Sequence, residues 1–309
     1  MPKISIIIPV FNEGEYLGRC LDSVLVALKG ISGEILAVDN DSADNSLAIL
    51  KKYAQKYPKI INVLQCHTPG AAATRNFGIS KARGEYIWFI DADDEIDKTA
   101  IKKLLTKAEK IDADLIMLGM KRIYPDGNTN YLSAVDPSSP NYKSRFVRYG
   151  LGPVQVLINR KWWVNNNYSF HEGIIHEDME LMSALILNAK KYDCVDEPLY
   201  SYHQNPNSVL HKDKYSPHIF DIFPALSGLY NRFKKAGAEK EYHDELEWFF
   251  IWNLLIDSAK DFSSFPEGKP GFKRSREMLK KYFPKWRKNC FLKEKPLKLR
   301  IRVRLNYWK

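Results

Sequence analysis

Tyr86-Ile87-Trp88-Phe89-Ile90-Asp91-Ala92-Asp93-Asp94 runs five apolar residues straight into three acids. Aromatic and β-branched residues without alternation read as a strand buried on both faces, as in parallel sheets covered by helices. Acids beside such a strand are costly unless solvent or a cation compensates them. Alternate carboxylates at Asp91 and Asp93 put two hard oxygen ligands on one side of a loop, which suits Mg²⁺ or Mn²⁺ held jointly with a substrate diphosphate. An ordinary solvated acidic turn is the other reading of that triplet.

The pattern repeats on either side. Residues 4–10 form a β-branched run ended by Asn12-Glu13-Gly14, and 15–28 carry helical spacing through Leu17, Leu21, Val24, Leu25 and Leu28. Strands are expected at 34–38, 60–64 and 114–118, and helices at 46–57, 71–81 and 98–110. This predicts an α/β fold with a mostly parallel central sheet flanked by helices, and ligands beyond the carboxyl ends of its strands. After Gly119 come a turn at Tyr124-Pro125-Asp126-Gly127-Asn128, a loop at 137–140, a helix at 176–190 and short strands within 192–203. From Ser216 onward the spacing is helical, over 217–235, 240–261 and 272–283. The expected division is a catalytic domain of residues 1–212 and a C-terminal helical region with a basic tail, residues 213–309.

Charge is unevenly spread. The formal net charge is +10, yet residues 273–309 alone carry +13 and the rest of the chain −3. Lys293 to Arg304 alternates basic residues with Leu297, Leu299, Ile301 and Val303, and the chain ends in Tyr307-Trp308-Lys309. Such a tail suits either an anionic membrane surface or a β-like edge packed on the helical region. Nucleic acid is not expected, because a basic tail explains none of the strand-end acids. The four cysteines form no metal or redox spacing. No leader pattern and no apolar run near 18 residues is present. The expectation is therefore a cytoplasmic protein, soluble or held on the inner face of the membrane.

Other strand ends are informative. Val38-Asp39-Asn40-Asp41-Ser42 follows the second strand; an Asp there can accept the N3 hydrogen of uracil, which cytosine lacks, or simply form a strand-to-helix turn. Gly70-Ala71-Ala72-Ala73-Thr74-Arg75 opens a helix with small residues, so that a nucleotide can approach the backbone and Arg75 can reach a phosphate or carbonyl oxygen; close packing with a surface ion pair is the alternative. No G-x-G-x-x-G or Walker A pattern occurs, which removes dinucleotide oxidoreductases and P-loop NTPases. Glu177-Asp178 sits at a helix start, where the dipole alone favours acids. Tyr200-Ser201-Tyr202-His203 and Asn207-Ser208-Val209-Leu210-His211 offer donors to close over a diphosphate, or ordinary packed and surface side chains. Trp162-Trp163 suits core packing better than stacking on a sugar.

In this order the stretches resemble the family 2 glycosyltransferases, inverting enzymes with the GT-A nucleotide-diphospho-sugar transferase fold. The match runs from Ser5-Ile6-Ile7-Ile8-Pro9-Val10-Phe11-Asn12-Glu13 through Val38-Asp39-Asn40, Arg75-Asn76-Phe77-Gly78, Asp91-Ala92-Asp93-Asp94 and Glu172-Gly173-Ile174-Ile175-His176-Glu177-Asp178 to Tyr200 and Tyr202. It departs from the usual pattern at Asn40 and Asp41, at Ala72 and at His203, where Arg is common. The resemblance implies a UDP-sugar donor contacted by Pro9, Phe11, Glu13, Asp39, Asn40, Arg75, Asp91, Ala92, His203 and Ser208. It implies a metal on Asp93 and His211, and Asp178 as the base that deprotonates an acceptor hydroxyl. The implied activity is a metal-dependent hexosyltransferase acting on a glycan or lipid-linked acceptor in cell-surface polysaccharide synthesis. A sugar-nucleotide pyrophosphorylase would instead open with a Gly-rich, Arg-containing loop where Phe11-Asn12-Glu13-Gly14-Glu15 stands. A catalytically inert binding subunit would not need both Asp93 and Asp178.

Overall fold

The computed structural model describes residues 1–134, 142–204 and 215–309. In chain order these form β1 (Ile4–Val10), α1 (Leu17–Ala27), β2 (Gly33–Asp39), α2 (Ser46–Lys56), β3 (Ile61–Gln65), α3 (Ala71–Lys81), β4 (Tyr86–Phe89), β5 (Glu95–Ile96), α4 (Ala100–Ile111), β6 (Leu115–Ile123) and β7 (Thr129–Leu132). Then come α5 (Tyr142–Tyr149), β8 (Val156–Asn159), α6 (Arg160–Asn165), α7 (Glu177–Asn188), β9 (Tyr192–His203), α8 (Ile222–Lys235), α9 (His243–Trp252), α10 (Ser258–Ser264), α11 (Pro270–Tyr282), α12 (Cys290–Lys293) and α13 (Leu297–Trp308). They group into two compact units, one of Met1–Pro140, Leu151–Gly173 and Ala189–His211, the other of Asn141–Gly150, Ile174–Asn188 and Lys212–Lys309.

The first unit is built on one mixed sheet of order β3-β2-β1-β4-β8-β6-β9-β5, with β7 beside β6. The segment β3-β2-β1-β4 is parallel throughout, so the carboxyl ends of its strands share one edge. Beyond it β8 runs antiparallel to β4 and β6. β1 is all but fully buried because both its faces are covered. Its one hydroxyl residue is matched inside: Ser5 donates to Glu34 at 2.7 Å, and Glu34 accepts three further bonds from Arg83. The helix α3 lies close on β1, because a Cβ at Gly78 would come within 2.6 Å of the Ile7 Cγ2 methyl. The expected short strands at 192–203 are one strand, β9, whose pairing with β6 shifts register twice around Gly119, opposite Asp196-Glu197-Pro198.

The second unit is helical, with an aromatic core including Phe223, Phe233, Trp248, Phe250 and Phe262. α7 joins it through the buried Ala184, with Met179 and Leu187 packed against it. Glu180 of α7 takes two bonds from Arg232 of α8, at 3.1 and 2.9 Å, across a position where only hydrogen fits: a Cβ on Gly228 would lie 2.3 Å from the Glu180 carboxyl carbon. The expected boundary at 213 falls among residues outside the described set. The compact units divide differently from 1–212 and 213–309, because Val147 of α5 and Ala184 of α7 pack into the core of the C-terminal helices. The tail is not β-like: Leu297–Trp308 is the helix α13. Among the described residues no helix is long and apolar enough to cross a membrane.

Candidate active site

The site residues of the first unit gather where β1, β2 and β4 end. The loops after β1 and β2 are tied together by bonds between backbone amides and side-chain oxygens. Asn12, at φ +57°, accepts the Ala43 amide at 2.7 Å while its own amide donates to Ser42; the Glu13 amide donates to Ser46 and the Gly14 amide to Asp44. The β1–β2 register sets Val10 beside Asp39, so Pro9 and the half-exposed Phe11 lead directly past it. Asp39 is buried, and its Oδ1 has no hydrogen-bond partner among the described residues. A carboxylate oxygen left that way inside a protein costs free energy unless a ligand donor meets it.

Asn40 behaves differently from Asp39. Its amide nitrogen donates to Cys66 and Thr68 carbonyls at 2.6 and 2.8 Å, and its oxygen accepts the Gly70 amide at 2.9 Å. The side chain expected to touch a nucleotide is thus committed to holding residues 66–70, the approach to α3, against β2. Asp41 follows at φ +56°, the left-handed backbone that a Gly usually supplies.

α3 delivers Arg75 to the acidic loop. The buried guanidinium pairs with Asp91 at 3.1 Å and lies 5.7 Å from the Phe170 ring centroid. The neighbouring Asn76 exchanges two hydrogen bonds with the Phe170 backbone and donates to Glu172 at 3.0 Å. Two motifs about ninety-five residues apart in sequence therefore meet.

The acids of the loop after β4 are unequal. Asp93 is pushed up to about 6, chiefly by burial and then by Asp91, and Glu13 to about 7 by burial and the charges of Asp93, Asp91 and Asp44. Asp94 is fully buried; it accepts from the Tyr200 hydroxyl and the His203 amide, and burial followed by its acidic neighbours drives it up to about 9. The Ala92 methyl packs in the core, so only its backbone is left to meet a ligand. Arg19 reaches in from α1, donating to the Asp93 carbonyl at 2.7 Å and pairing with Glu95 at 3.0 Å.

Asp93, Arg19, Tyr16, Tyr124 and His203 line part of a cavity of about 160 Å³. His203 Nε2 lies 2.8 Å from Glu95 yet makes no hydrogen bond among the described residues, and burial followed by the nearby Arg19 charge lowers its pKa. Tyr200 is buried beneath the acidic loop rather than poised above it. Ser208 and His211 lie outside the described residues. Trp163 is buried against Phe89, Phe170 and Tyr168, which settles it as core; Trp162 packs on Tyr168 with ring centroids 5.0 Å apart and planes tilted by 49°.

Asp178 belongs to the second unit, in the first turn of α7, half-buried, with Oδ1 accepting the Met179 amide at 2.9 Å. Glu177 beside it is buried, as expected of neighbours that diverge by about 100° around a helix. The turn before them uses Gly173 and His176 at positive φ and is fixed by Asp221, which accepts the Ile175 amide. Sequence reasoning overlooked Arg19 and Glu95. An Arg in the first turn of an amphipathic helix carries no mark of being aimed at a loop more than seventy residues away.

As a donor set, Asp91 and Asp93 offer hard carboxylate oxygens. Among the described residues, three metal-type ligand atoms lie within 4.8 Å of one another at His243, Asp244 and Glu247 of the second unit, not at the strand ends. A cation on Asp91 and Asp93 would complete its shell with substrate oxygens and water.

The sequence model of glycosyl transferase family 2 matches residues 5–166, more than half of the chain. An uncharacterized glycosyltransferase, YibD, of Escherichia coli is 28% identical over 80% of this chain and 76% of its own length. Poly(ribitol-phosphate) beta-glucosyltransferase of Bacillus spizizenii is 31% identical over 65% of this chain and 32% of its own. The crystal structure of S. aureus TarS 1–349 in complex with UDP-GlcNAc shares the fold, with a TM-score of 0.77 at 21% identity, over 99% of this chain and 89% of that one.

Proposed function

This chain belongs to glycosyl transferase family 2, and from that premise we propose that it transfers a sugar from a UDP-sugar, with inversion, to a hydroxyl of a glycan or lipid-linked acceptor in cell-surface polysaccharide synthesis. The observation that carries the donor assignment is Asp39, whose buried Oδ1, at the strand end beside Phe11, lacks a partner among the described residues. Uracil offers the N3 hydrogen this oxygen can accept, and an exposed aromatic suits one face of a base. The UDP-GlcNAc carried by TarS, on the same fold, supports this choice.

A divalent cation fits the acids after β4. Burial and repulsion hold the Asp93 and Glu13 carboxyls above their ordinary range, the situation that bound positive charge relieves. Asp93, with Asp91 beside it, would hold Mg²⁺ or Mn²⁺, which when bound supplies charge to stabilise the departing diphosphate. Arg75 fixes the Asp91 carboxylate, and Tyr200 fixes its amide. Asp178 is the proposed base: inversion needs one carboxylate on the face opposite the leaving group, and the open half of its side chain leaves it accessible.

The test is a screen of sugar nucleotides with Mn²⁺, reading release of the free nucleoside diphosphate. UDP release from at least one UDP-sugar, reduced by a chelator, is the expected result. Release only from GDP- or ADP-sugars would overturn the uridine assignment, and release indifferent to chelator the metal.

A further inference from the structure

We propose that α13 is a docking helix for an anionic lipid bilayer surface, lying in the interface plane. Each residue advances about 100° around a helix, so Leu297, Ile301, Leu305 and Trp308 fall on one stripe about 80° wide. All are exposed, from 48% at Ile301 to 72% at Trp308. The opposite side is the one that holds the helix to its unit. Val303 and Tyr307 are buried, Asn306 donates to the Leu255 carbonyl at 2.9 Å, Tyr307 packs on Trp286, and the Tyr307 carbonyl accepts from Arg276. α13 thus presents a second apolar ridge from a fixed seat, and packing inside its own unit does not account for that ridge.

Charge says what covers it. Lys298, Arg302 and Lys309 flank the ridge on one side and Arg300 and Arg304 on the other, with no acid anywhere from Leu297 to Lys309. A second copy docked through this ridge would bring like charges together along both edges. A nucleic acid would use the charges and leave the ridge unexplained. An anionic bilayer uses both, since apolar side chains enter the acyl boundary, Trp favours the headgroup level and the basic flanks meet lipid phosphates. Twelve helical residues reach only about 18 Å, too short to span. The inference is independent of the transferase reading, because vesicle binding needs neither donor nor acceptor.

The test uses the full chain and vesicles of phosphatidylcholine with or without phosphatidylglycerol, read by co-sedimentation. Binding is expected only with phosphatidylglycerol and should weaken with added salt. Lys298→Gln/Arg302→Gln/Arg304→Gln should weaken it by about 10²-fold, and Leu305→Ser/Trp308→Ser by about ten-fold or more. Unchanged circular dichroism and thermal midpoints show that both variants fold. Equal binding to neutral vesicles, no binding to either, or wild-type binding by either variant overturns the proposal. So does capture of a short DNA duplex without vesicle binding, or self-association lost in the ridge variant while vesicles remain unbound.

Discussion

Tyr200 and Asp94 share a hydrogen bond of 2.5 Å beneath the acidic loop, and the same hydroxyl accepts the Asp91 amide at 3.2 Å. One phenol thereby spaces two acids of the loop from behind. Tyr200→Phe leaves a buried amide and a buried carboxyl each short of a partner. It should lower unfolding free energy by about 1–3 kcal/mol, read from the urea transition. An unshifted transition would mean that the loop is held by other contacts.

Asp39→Asn replaces a partnerless acceptor oxygen with a group that is half donor. Calorimetry should show UDP binding weaker by about 10- to 10²-fold, the range for a hydrogen bond to a charged group, with the thermal midpoint nearly unchanged. Equal affinity of wild type and variant for UDP would remove Asp39 from the base site.

Asp178→Asn should lower kcat by at least about 10² while UDP affinity stays intact, because a base touches the acceptor rather than the nucleotide. Glu177→Gln, at a buried position, should cost less in turnover and show instead in stability. Full turnover by Asp178→Asn would return that residue to a helix-terminus role.

Glu34 gives a pH dependence. Burial alone would raise its pKa, but hydrogen bonds from Arg83 and Ser5 outweigh this and hold it below the ordinary 4.5. A carboxylate depressed in the folded state adds stability that is present above the unfolded value and lost as pH falls through the folded one. Urea midpoints of the wild type should therefore fall below about pH 4.5, and those of Glu34→Gln should fall less steeply there. Parallel curves for the two would refute the assignment.

The strands β1, β2 and β4 were legible because burial on both faces leaves a continuous apolar run, and their ends pointed to Asp39, Asp91 and Asp93 as candidates. The loop-holding bonds of Asn40 were not legible because an amide at a strand end reads the same whether it faces a ligand or clamps a loop; its carbonyl partners lie 26 and 28 residues on. β9 read as fragments because Asp196, Glu197 and Pro198 interrupt its pattern, although Asp196 is engaged by Tyr131, Ser133 and the Ala134 amide at the bulge. The tail misled for a related reason: a helix apolar on two opposite sides, with charges between, imitates a period of two. The grouping of α7 with the C-terminal helices depends on which apolar faces meet, which spacing along one segment does not encode.

Gly78 gives the acidic loop an unexpected dependent. It sits one helical turn beyond Arg75, under a methyl that leaves no room for a Cβ. Any larger side chain there would lever α3 off β1 and withdraw the guanidinium from Asp91. Grafting residues 91–94 onto another scaffold would therefore transplant acids without their cationic partner. The smallest portable piece of this chemistry includes a hydrogen atom thirteen residues upstream.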